Sequence, residues 1–548
     1  MSEQLLQDEP AVTVMTPQRQ AAASPGSGLA PLHRLFVTLG RLRRLCPSIP
    51  VTAIHWMSLR HPIHPVQERL LSEVQDSPPP PMRALVLRWI RCVGYALYLS
   101  VLFAWLRWRC RREIAALRGR SFHLAAKTWW FGTSHSGDWD FYYGDLQQRL
   151  AERGVRMLML GADGNGLSFD LRRWRGFIKA HGSTSEAARL PQLCLAHPAA
   201  PFRIAAGQLA ASLRLRRLAR RARHPLLRRA SQAASWDCLA PQTAENSLCF
   251  CMTQAAVKTW RLQAFMELYE ANSWERCEWR GAKAARPSCL TVGYQHGIVM
   301  PYSLSLREPC RGSHKDAVPD RVLCLGEATR TMLEPGHRPS GSRLVPFGSI
   351  RYPNAHGRPQ APRRDRRAVL VVPEGIPDEA VLLFDAALRM AGACPDHRFI
   401  FRCHPYLPFA QVRAHLSLDP DQLPNVEISP SESIEPDFAR SSVVLYRGSS
   451  AVLYAVLAGL WPVYFQAPQH PELDPLFEAG PWRSRVSSAQ EMAAALRAYA
   501  ELSEDEVVAQ WRQARAYVSG YVMPVSDASI DRFLAAVELR DGEGPPLR

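Results

Sequence analysis

Three short polar clusters in the C-terminal half of the 548-residue chain each follow an apolar run. They read PEG at 373–375, RCHP at 402–405 and RGSS at 447–450. Apolar, β-branched runs of this length are typical of buried strands. Because open α/β sheets bind ligands beyond the carboxyl ends of their strands, these clusters are the first candidates for a site.

The RCHP cluster has the composition of a phosphate receptor. Arg402 and His404 are two residues apart, so in an extended segment their side chains leave the same face. Pro405 fixes the backbone direction and disfavours helix at the residue before it. A guanidinium and an imidazole that converge at a strand end favour phosphate binding, although a histidine that only completes a turn is the alternative.

The RGSS cluster predicts a second group of anion-binding atoms. Gly448 turns the chain after the strand, and Ser449 and Ser450 begin a helix whose first N–H groups lack partners within the helix. Arg447 adds positive charge. A serine that only caps the helix would explain one of the hydroxyls but not the whole cluster.

The PEG cluster places one carboxylate at a strand end, on Glu374. Gly375 beside it permits close approach of another group to the backbone. This carboxylate is predicted to act as a general base or to hold a ribose hydroxyl. The alternative is an acid that stabilises the first turn of the following helix.

The N-terminal half contributes a candidate base. His296 follows the run LTVGY and lies between Gln295 and Gly297. A neutral histidine at a cleft-facing turn suits proton abstraction near pH 7. The same cleft is expected to be lined by Gln295 and Gly297, by Glu270, interpreted as the end of a helix, and by Arg351, after another strand, although packing explains Glu270 equally well.

The motifs of metal-dependent or dinucleotide-dependent chemistry do not occur in the sequence. It has no P-loop and no GxGxxG, and SGDWD at 136–140 is the nearest approach to a metal-binding acidic pair; we interpret it as structural. The 13 cysteines include no CxxC pair, which disfavours structural zinc and a disulfide framework. No metal and no cofactor are therefore expected.

The elements that position these residues follow an α/β pattern. Strands are predicted at the ranges 123–130, 155–160, 247–252, 290–294, 321–325, 343–347, 368–372, 398–402, 426–428, 443–446 and 461–465. The predicted architecture is two Rossmann-like domains that face a cleft, preceded by a helical, membrane-proximal extension. The predicted parts are a disordered tail at 1–34, helices at 35–120, an N-terminal Rossmann-like domain at 121–352, a C-terminal Rossmann-like domain at 366–525, and a terminal helix and tail at 526–548.

The charge of the chain indicates an anionic partner. Lys and Arg number 67 against 50 Asp and Glu, a net charge of +17, and no acid lies between Glu186 and Asp237. Within that interval Arg214–Arg229 is strongly basic. The uncharged run Cys92–Leu106 is shorter than a bilayer span, which leaves a core helix and an interfacial helix as alternatives. Nucleic acid is disfavoured because few aromatic residues are interleaved with the arginines.

The order GYQHG, VPEG, RCHP and RGSS, followed by a helix and GLWPV, resembles bacterial surface-carbohydrate transferases of the GT-B fold. The similar families are capsule and lipopolysaccharide Kdo- or sialic-acid-type transferases and teichoic acid glycerophosphotransferases. The resemblance implies that a cytidine nucleotide binds mainly the second domain and the acceptor the first. His404, Ser449 and Ser450 match the donor-phosphate site of these families. Glu374 and Gly375 match their acidic-glycine motif, and His296 matches the histidine that serves as base.

The function implied is metal-independent transfer of a sugar from a nucleotide-sugar, CMP-linked in these relatives, to a growing surface polysaccharide or lipid-linked acceptor. The expected location is cytoplasmic, peripheral on the inner face of the cell membrane and held by the basic segment. Two alternatives stay open. One is transfer of glycerol phosphate from a CDP-glycerol-type donor, and the other is a basic nucleic-acid-binding protein.

Overall fold

A computed structural model describes residues 29–59, 64–72, 81–130, 139–163, 172, 174–176, 188–309, 318–350, 366–404, 407–468, 470–477 and 482–539. The chain divides into two compact units. The N-terminal unit consists of Ala30–Gly357 and Tyr517–Arg548, and the C-terminal unit contains Arg358–Ala516. The last helix of the chain therefore packs with the N-terminal unit.

The N-terminal unit is built on a seven-stranded parallel sheet. Its strands are β1 (Leu124–Trp130), β2 (Met157–Asp163), β3 (Arg189–Pro191), β4 (Ala264–Leu268), β5 (Leu290–Tyr294), β6 (Arg321–Cys324) and β7 (Arg343–Pro346). They lie in the order β3-β2-β1-β4-β5-β6-β7. The order reverses between β1 and β4, which is the doubly wound Rossmann arrangement.

The C-terminal unit repeats this arrangement with six parallel strands. They are β8 (Ala368–Pro373), β9 (Arg398–Phe401), β10 (Val426–Ile428), β11 (Val443–Arg447), β12 (Trp461–Phe465) and β13 (Ser484–Val486). Their order is β10-β9-β8-β11-β12-β13, with the reversal between β8 and β11. The prediction of two Rossmann-like domains, the domain composition of the GT-B class, is confirmed.

The helices that precede β8 are α1 (Leu29–Leu45), α2 (Ile49–Thr52), α3 (Pro65–Leu71), α4 (Met82–Arg109), α5 (Arg111–Arg118), α6 (Leu146–Ala151), α7 (Ala200–Arg221), α8 (Pro225–Asp237), α9 (Pro241–Trp260), α10 (Ser273–Ala285), α11 (Leu304–Arg307) and α12 (Glu327–His337). Those that follow are α13 (Pro377–Ala393), α14 (Phe409–Arg413), α15 (Glu435–Ala439), α16 (Ala451–Leu457), α17 (Ala489–Glu501), α18 (Glu504–Tyr521) and α19 (Asp527–Ala536). The predicted helical segment therefore begins at Leu29, earlier than residue 35.

The second core shows why its elements form where the sequence places them. Helix α13 starts with Pro377 at its first position and Asp378 in its first turn, both favourable at a helix N-terminus. Its apolar face, which includes Phe384, packs on the sheet, and the ring of Phe384 stacks on Phe401 of β9 at 4.7 Å. The strand ends that carry the candidate residues are thereby held on a fully buried layer.

One predicted strand is wrong. Residues Ser247–Met252 lie inside helix α9, and the strand that the sheet uses is β4, Ala264–Leu268. The run SLCFCM is short and apolar, and periodicity does not separate such a run from one turn of a buried helix. In α9 most of these side chains are buried, so the helix has no polar face there to reveal its period.

Among the described residues, one helix, α4, is long and apolar enough to cross a membrane by length and composition alone. One third of its most apolar window (33%) is buried inside the protein. Length and composition do not separate a spanning helix from one that packs along a protein surface.

Candidate functional site

In each unit, candidate residues follow the carboxyl ends of strands, the edge of the sheet at which doubly wound folds bind ligands. In the second sheet, Arg447 of β11 pairs with Pro373 of β8, so the residues that follow them, Gly448 and Glu374, leave neighbouring strands at the same level. These strands flank the reversal of strand order. The PEG and RGSS clusters therefore lie together at the switch point of the C-terminal unit.

The contact between Glu374 and Gly448 is close enough to require glycine. Gly448 has φ of +72°, a backbone conformation that other residues rarely adopt. A Cβ at this position would lie 2.6 Å from Oε2 of Glu374. The carboxylate thus lies directly against the turn that leads into Ser449 and Ser450.

His404 joins the same cluster through Gly375. A Cβ at Gly375 would lie 2.9 Å from Nδ1 of His404, so the imidazole is against the backbone that follows β8. Strand β9, which carries His404 just beyond its end, is the direct neighbour of β8. His404 is half-buried. The acidic-glycine pair and the RCHP histidine, far apart in sequence, are therefore adjacent in space.

The two serines contribute hydroxyl groups beside this cluster. Ser449 is nearly buried, and its Oγ accepts a hydrogen bond from the backbone N–H of Ala451 at 3.4 Å. Ser450 is more exposed and directly precedes helix α16. A carboxylate, an imidazole and two hydroxyls are thus grouped around two glycines whose missing side chains make room for Glu374 and His404.

Arg447, predicted to add charge to the anion site, makes its contacts inside the fold. Its guanidinium is buried, and its Nε lies 2.6 Å from Oε2 of Glu379. The remaining nitrogens donate to the hydroxyl of Tyr464 at 3.1 Å and to the carbonyl of Pro471 at 3.0 Å. Because these contacts use its charge inside the fold, we leave Arg447 out of the anion site and assign it to holding β11 and its neighbours.

Arg402 is also engaged within the fold. Its Nη1 lies 2.7 Å from Oδ2 of the buried Asp437, and both Nη atoms donate to carbonyls of the loop at 431–432. Burial acts to raise the pKa of Asp437, but hydrogen bonds from Ser429, Arg440 and Arg402 lower it below the usual value, so this carboxylate stays ionised. The other basic side chain of the RCHP and RGSS clusters is that of His404.

The N-terminal unit holds a second cluster, centred on His296 and Glu270. Leu268 of β4 pairs with Tyr294 of β5, and each candidate lies two residues beyond its strand. Nε2 of His296 and Oε1 of Glu270 are 3.5 Å apart, and both side chains are partly exposed (10% and 20%). Glu270 therefore follows a strand and does not end a helix, and it is close enough to orient the imidazole.

A buried hydrogen-bond network holds Glu270, the carboxylate beside His296, in place. The carboxylate of Glu275 accepts from the backbone N–H of Glu270 at 3.1 Å and from Nδ2 of Asn272 at 2.7 Å. Burial, followed by repulsion from Glu270, raises the pKa of Glu275 to about 8, although hydrogen bonds from Asn272 oppose the shift. Ala271, which lies between Glu270 and Asn272 in the chain, has φ of +64°, a strained conformation for a residue with a side chain.

Gln295 and Gly297 position the histidine. Gln295 is fully buried, and its Nε2 donates to the carbonyl of Gly297 while its Oε1 accepts from the N–H of Leu325. A Cβ at Gly297 would lie 2.9 Å from Oε1 of Glu270. Gln295, expected to line the cleft, therefore holds the turn, and Gly297 leaves room for the carboxylate.

Two residues of this cluster, Tyr142 and Asn272, are not among those that the sequence predicted. The ring of Tyr142 meets the imidazole edge to face at 5.1 Å, and Asn272 contacts both glutamates. Asn272 directly precedes a helix, so a capping position could have marked it. Nothing local marks Tyr142, which is more than 150 residues away from His296 in the chain.

Pro405 and Arg351, both predicted for the site, lie outside the described residues. Within the described ranges, no group of three or more His, Cys, Asp or Glu side chains is arranged to hold a metal ion. Asp140 of the SGDWD stretch is buried and accepts from Thr128 and from the N–H groups of Tyr142 and Tyr143.

No protein-family model and no curated protein matches the chain. Among solved structures it is similar to apo OtsA, with TM-score 0.45, 11% identity, and coverage of 78% of this chain and 100% of that one. It is also similar to UDP-GlcNAc 2-epimerase from Neisseria meningitidis bound to UDP-GlcNAc, with TM-score 0.43, 9% identity, and coverage of 76% of this chain and 99% of that one. A third similar structure is that of the glycosyltransferase SnogD from Streptomyces nogalater, with TM-score 0.38, 12% identity, and coverage of 76% of this chain and 100% of that one. These scores and identities are low, and the fold assignment rests on the strand orders alone.

Proposed function

We propose that the chain is a glycosyltransferase that moves a sugar from a nucleotide-linked donor to a hydroxyl group of an acceptor. The observation that carries the proposal is the grouping of Glu374, Gly375, His404, Gly448 and the two following serines at the switch point of the second Rossmann sheet. This is the location at which such sheets bind nucleotides. The glycines let the carboxylate and the imidazole lie directly against the turns that follow β8 and β11.

The donor side of the reaction is assigned to this cluster. The bond from the anomeric carbon to the phosphate oxygen breaks, and the electron pair leaves with the nucleotide phosphate. Protonated His404 and the hydroxyls of Ser449 and Ser450 would stabilise that negative charge, because donors fixed before the reaction need no reorganisation. Glu374 is assigned to a ribose hydroxyl, since a carboxylate would oppose the leaving phosphate.

The acceptor side is assigned to His296. The acceptor oxygen forms the new bond to the anomeric carbon, and its proton passes to the imidazole. Glu270, 3.5 Å from Nε2, would orient the ring and stabilise the imidazolium that forms. His296 is therefore the proposed base, in preference to Glu374.

The finer identity of the substrates comes from the motif order in the sequence. We propose a cytidine-nucleotide donor, a surface polysaccharide or lipid-linked acceptor, and action at the cytoplasmic face of the inner membrane. Arg402 and Arg447 are engaged in ion pairs, so the donor phosphate is expected to be held by hydroxyls, backbone N–H groups and one histidine.

A ligand screen by thermal shift tests the proposal. CMP and CDP are compared with UDP, GDP and ADP on the purified full chain. We expect one base to raise the unfolding temperature and the Ser449→Ala/Ser450→Ala double variant to lose most of that rise.

The matched control is Ser417→Ala, an exposed serine of the same unit that should keep the full response. If no nucleotide shifts the wild type, or if the double variant responds like Ser417→Ala, the proposed donor site is wrong. A response to CDP-glycerol together with glycerol-phosphate transfer would identify the rival transferase.

A further inference from the structure

Helix α4 has two apolar faces, and only one of them packs on the protein. The packed face includes Leu99, Leu102, Phe103 and Leu106, all 0% exposed. The opposite face leaves large apolar side chains in solvent along the whole helix: Met82, Val86, Leu87, Ile90, Leu97, Val101 and Trp108. Single exposed apolar residues are ordinary on protein surfaces, but a continuous stripe marks an interaction site.

The exposure along this stripe is large and regular. Leu97, Val101 and Trp108 are 57%, 53% and 59% exposed. Residues 86, 90, 97, 101 and 108 recur at the spacing that lines up one face of an α-helix. The helix has 28 residues, so the stripe extends for roughly 40 Å.

The neighbouring helix α7 extends the same kind of surface. It lies antiparallel to α4, because Cys92 contacts Gln208 at 3.0 Å while Ser100 contacts Pro198 at 2.6 Å. Phe202 is 42% exposed, and further along the exposed positions become basic. The exposed arginines of its C-terminal half are Arg214, Arg217, Arg220 and Arg221.

The charges around the exposed stripe of α4 indicate what kind of partner covers it. Neither α4 nor α7 contains an acidic residue, and the exposed Arg83, Arg91 and Arg109 flank the apolar stripe. A second copy docked through the same face would bring these arginines against each other. A bilayer with anionic headgroups offers an apolar interior to the stripe and negative charge to the arginines.

We propose that α4 docks in the plane of an anionic membrane, with its exposed stripe in the interfacial layer and the arginines of α7 at the headgroups. The helix does not span the bilayer, because its other face is part of the protein core. Its small-residue contacts with α7 at Cys92, Ala96 and Ala205 are buried in that packing. The proposal does not depend on the transferase chemistry.

Flotation with vesicles tests it on the full chain. Vesicles of phosphatidylcholine with about one third phosphatidylglycerol are compared with pure phosphatidylcholine, at low and at high salt. We expect binding to the anionic vesicles that weakens with salt. The Leu97→Glu/Val101→Glu variant should bind at least about tenfold more weakly, since two charges then enter the apolar layer.

Leu418→Glu is the matched control, because it makes the same change at an exposed leucine (41%) of the C-terminal unit. It should float like the wild type. Thermal melting of both variants checks folding, and Val101→Ser/Trp108→Ser provides a milder pair. Equal flotation of wild type and Leu97→Glu/Val101→Glu overturns the proposal. Wild-type binding that is the same with and without anionic lipid would also overturn it. A dimer that Leu97→Glu/Val101→Glu abolishes would identify a second copy as the occupant of the stripe, and resistance of the membrane-bound protein to alkaline extraction would indicate a helix that spans the bilayer.

Discussion

His296 and Glu270 carry the most specific residue-level prediction. Removing the base with His296→Ala should lower the turnover number for sugar transfer by about 10²–10⁴-fold, the usual contribution of a positioned general base. Glu270→Gln keeps the shape but loses the charge that stabilises the imidazolium, so it should lower turnover less than His296→Ala. Steady-state transfer assays with the donor found by the nucleotide screen provide the measurement.

His415→Ala is the control for a generic histidine loss, since His415 is exposed in the other unit. It should transfer sugar at the wild-type rate. Undiminished turnover in His296→Ala, with its fold intact by circular dichroism, would remove His296 from the chemistry.

Gly448 tests the geometry of the donor cluster. Gly448→Ala combines a left-handed backbone with a methyl group 2.6 Å from a Glu374 oxygen. Gly341 has φ of +75° but nothing within 4 Å of the added Cβ, so Gly341→Ala measures the backbone cost alone. That cost is about 1 kcal/mol. We expect Gly448→Ala to lower the unfolding temperature further than Gly341→Ala and also to weaken nucleotide binding, which Gly341→Ala should not do.

Equal shifts in the two glycine variants would show that Glu374 moves away without cost. In that event the carboxylate would not be held against the turn, and its assignment to a ribose hydroxyl would fail.

Glu275 predicts a pH dependence of stability. Its pKa is about 8 in the folded protein and near the ordinary 4.5 when unfolded, so the folded state binds the extra proton between these values. Stability therefore falls as pH rises from about 5 to 8. In Glu275→Gln that contribution is absent, and the unfolding temperature should fall less over the same interval. A steeper fall in the variant than in the wild type would contradict the buried, protonated carboxyl.

At the scale of elements, the strand ends were predictable and the partners of their side chains were not. The sequence places the ends of β5, β8 and β11 to within one residue, because each is a short, mostly apolar run with a Gly or Pro at its end or within three residues after it. It also suggests an anion site from Arg402 and Arg447. Their ion pairs with Asp437 and Glu379 join residues 35 and 68 positions apart, which no local pattern reveals.

The register of the sheets decides the rest of the site. Glu270 and His296 meet because β4 and β5 pair in register, and β4 was missed by the sequence pattern. Its sequence, AFMEL, contains a glutamate that a buried strand rarely carries. That residue, Glu267, is tolerated because a lysine of the neighbouring strand meets it.

This buried ion cluster gives the element-level prediction. Nζ of Lys127 on β1 lies 3.2 Å from Glu267 of β4 and 3.0 Å from Glu278 of α10, so it ties together the strands at the first switch point. Burial and Glu278 raise the pKa of Glu267 against the opposing effect of the lysine. Lys127→Met leaves two buried acids without their cation and should destabilise the N-terminal unit by about 3–5 kcal/mol.

Denaturant unfolding measures that loss, and Lys127→Met/Glu267→Gln/Glu278→Gln should recover part of it, because none of these three positions then carries a buried charge. Wild-type stability in Lys127→Met would mean that the cluster does not hold the strands.

At the scale of the whole molecule, the net charge of +17 is the feature most open to another explanation. If it served nucleic acid, a duplex should bind tightly at physiological salt. We expect a dissociation constant no tighter than about 1 µM in a gel shift, typical of non-specific attraction between a basic surface and phosphates. Sequence-selective binding well below that value would favour the rival function.

The most direct test of the proposed transferase is photo-crosslinking with a nucleotide-sugar that carries a photoreactive base, followed by peptide mapping. The proposed function predicts labelled peptides at the carboxyl ends of β8, β9 and β11, protected by the unmodified nucleotide. Labelling confined to the arginine-rich helices α7 and α8, or no protectable labelling at all, would contradict a donor site on the second Rossmann sheet.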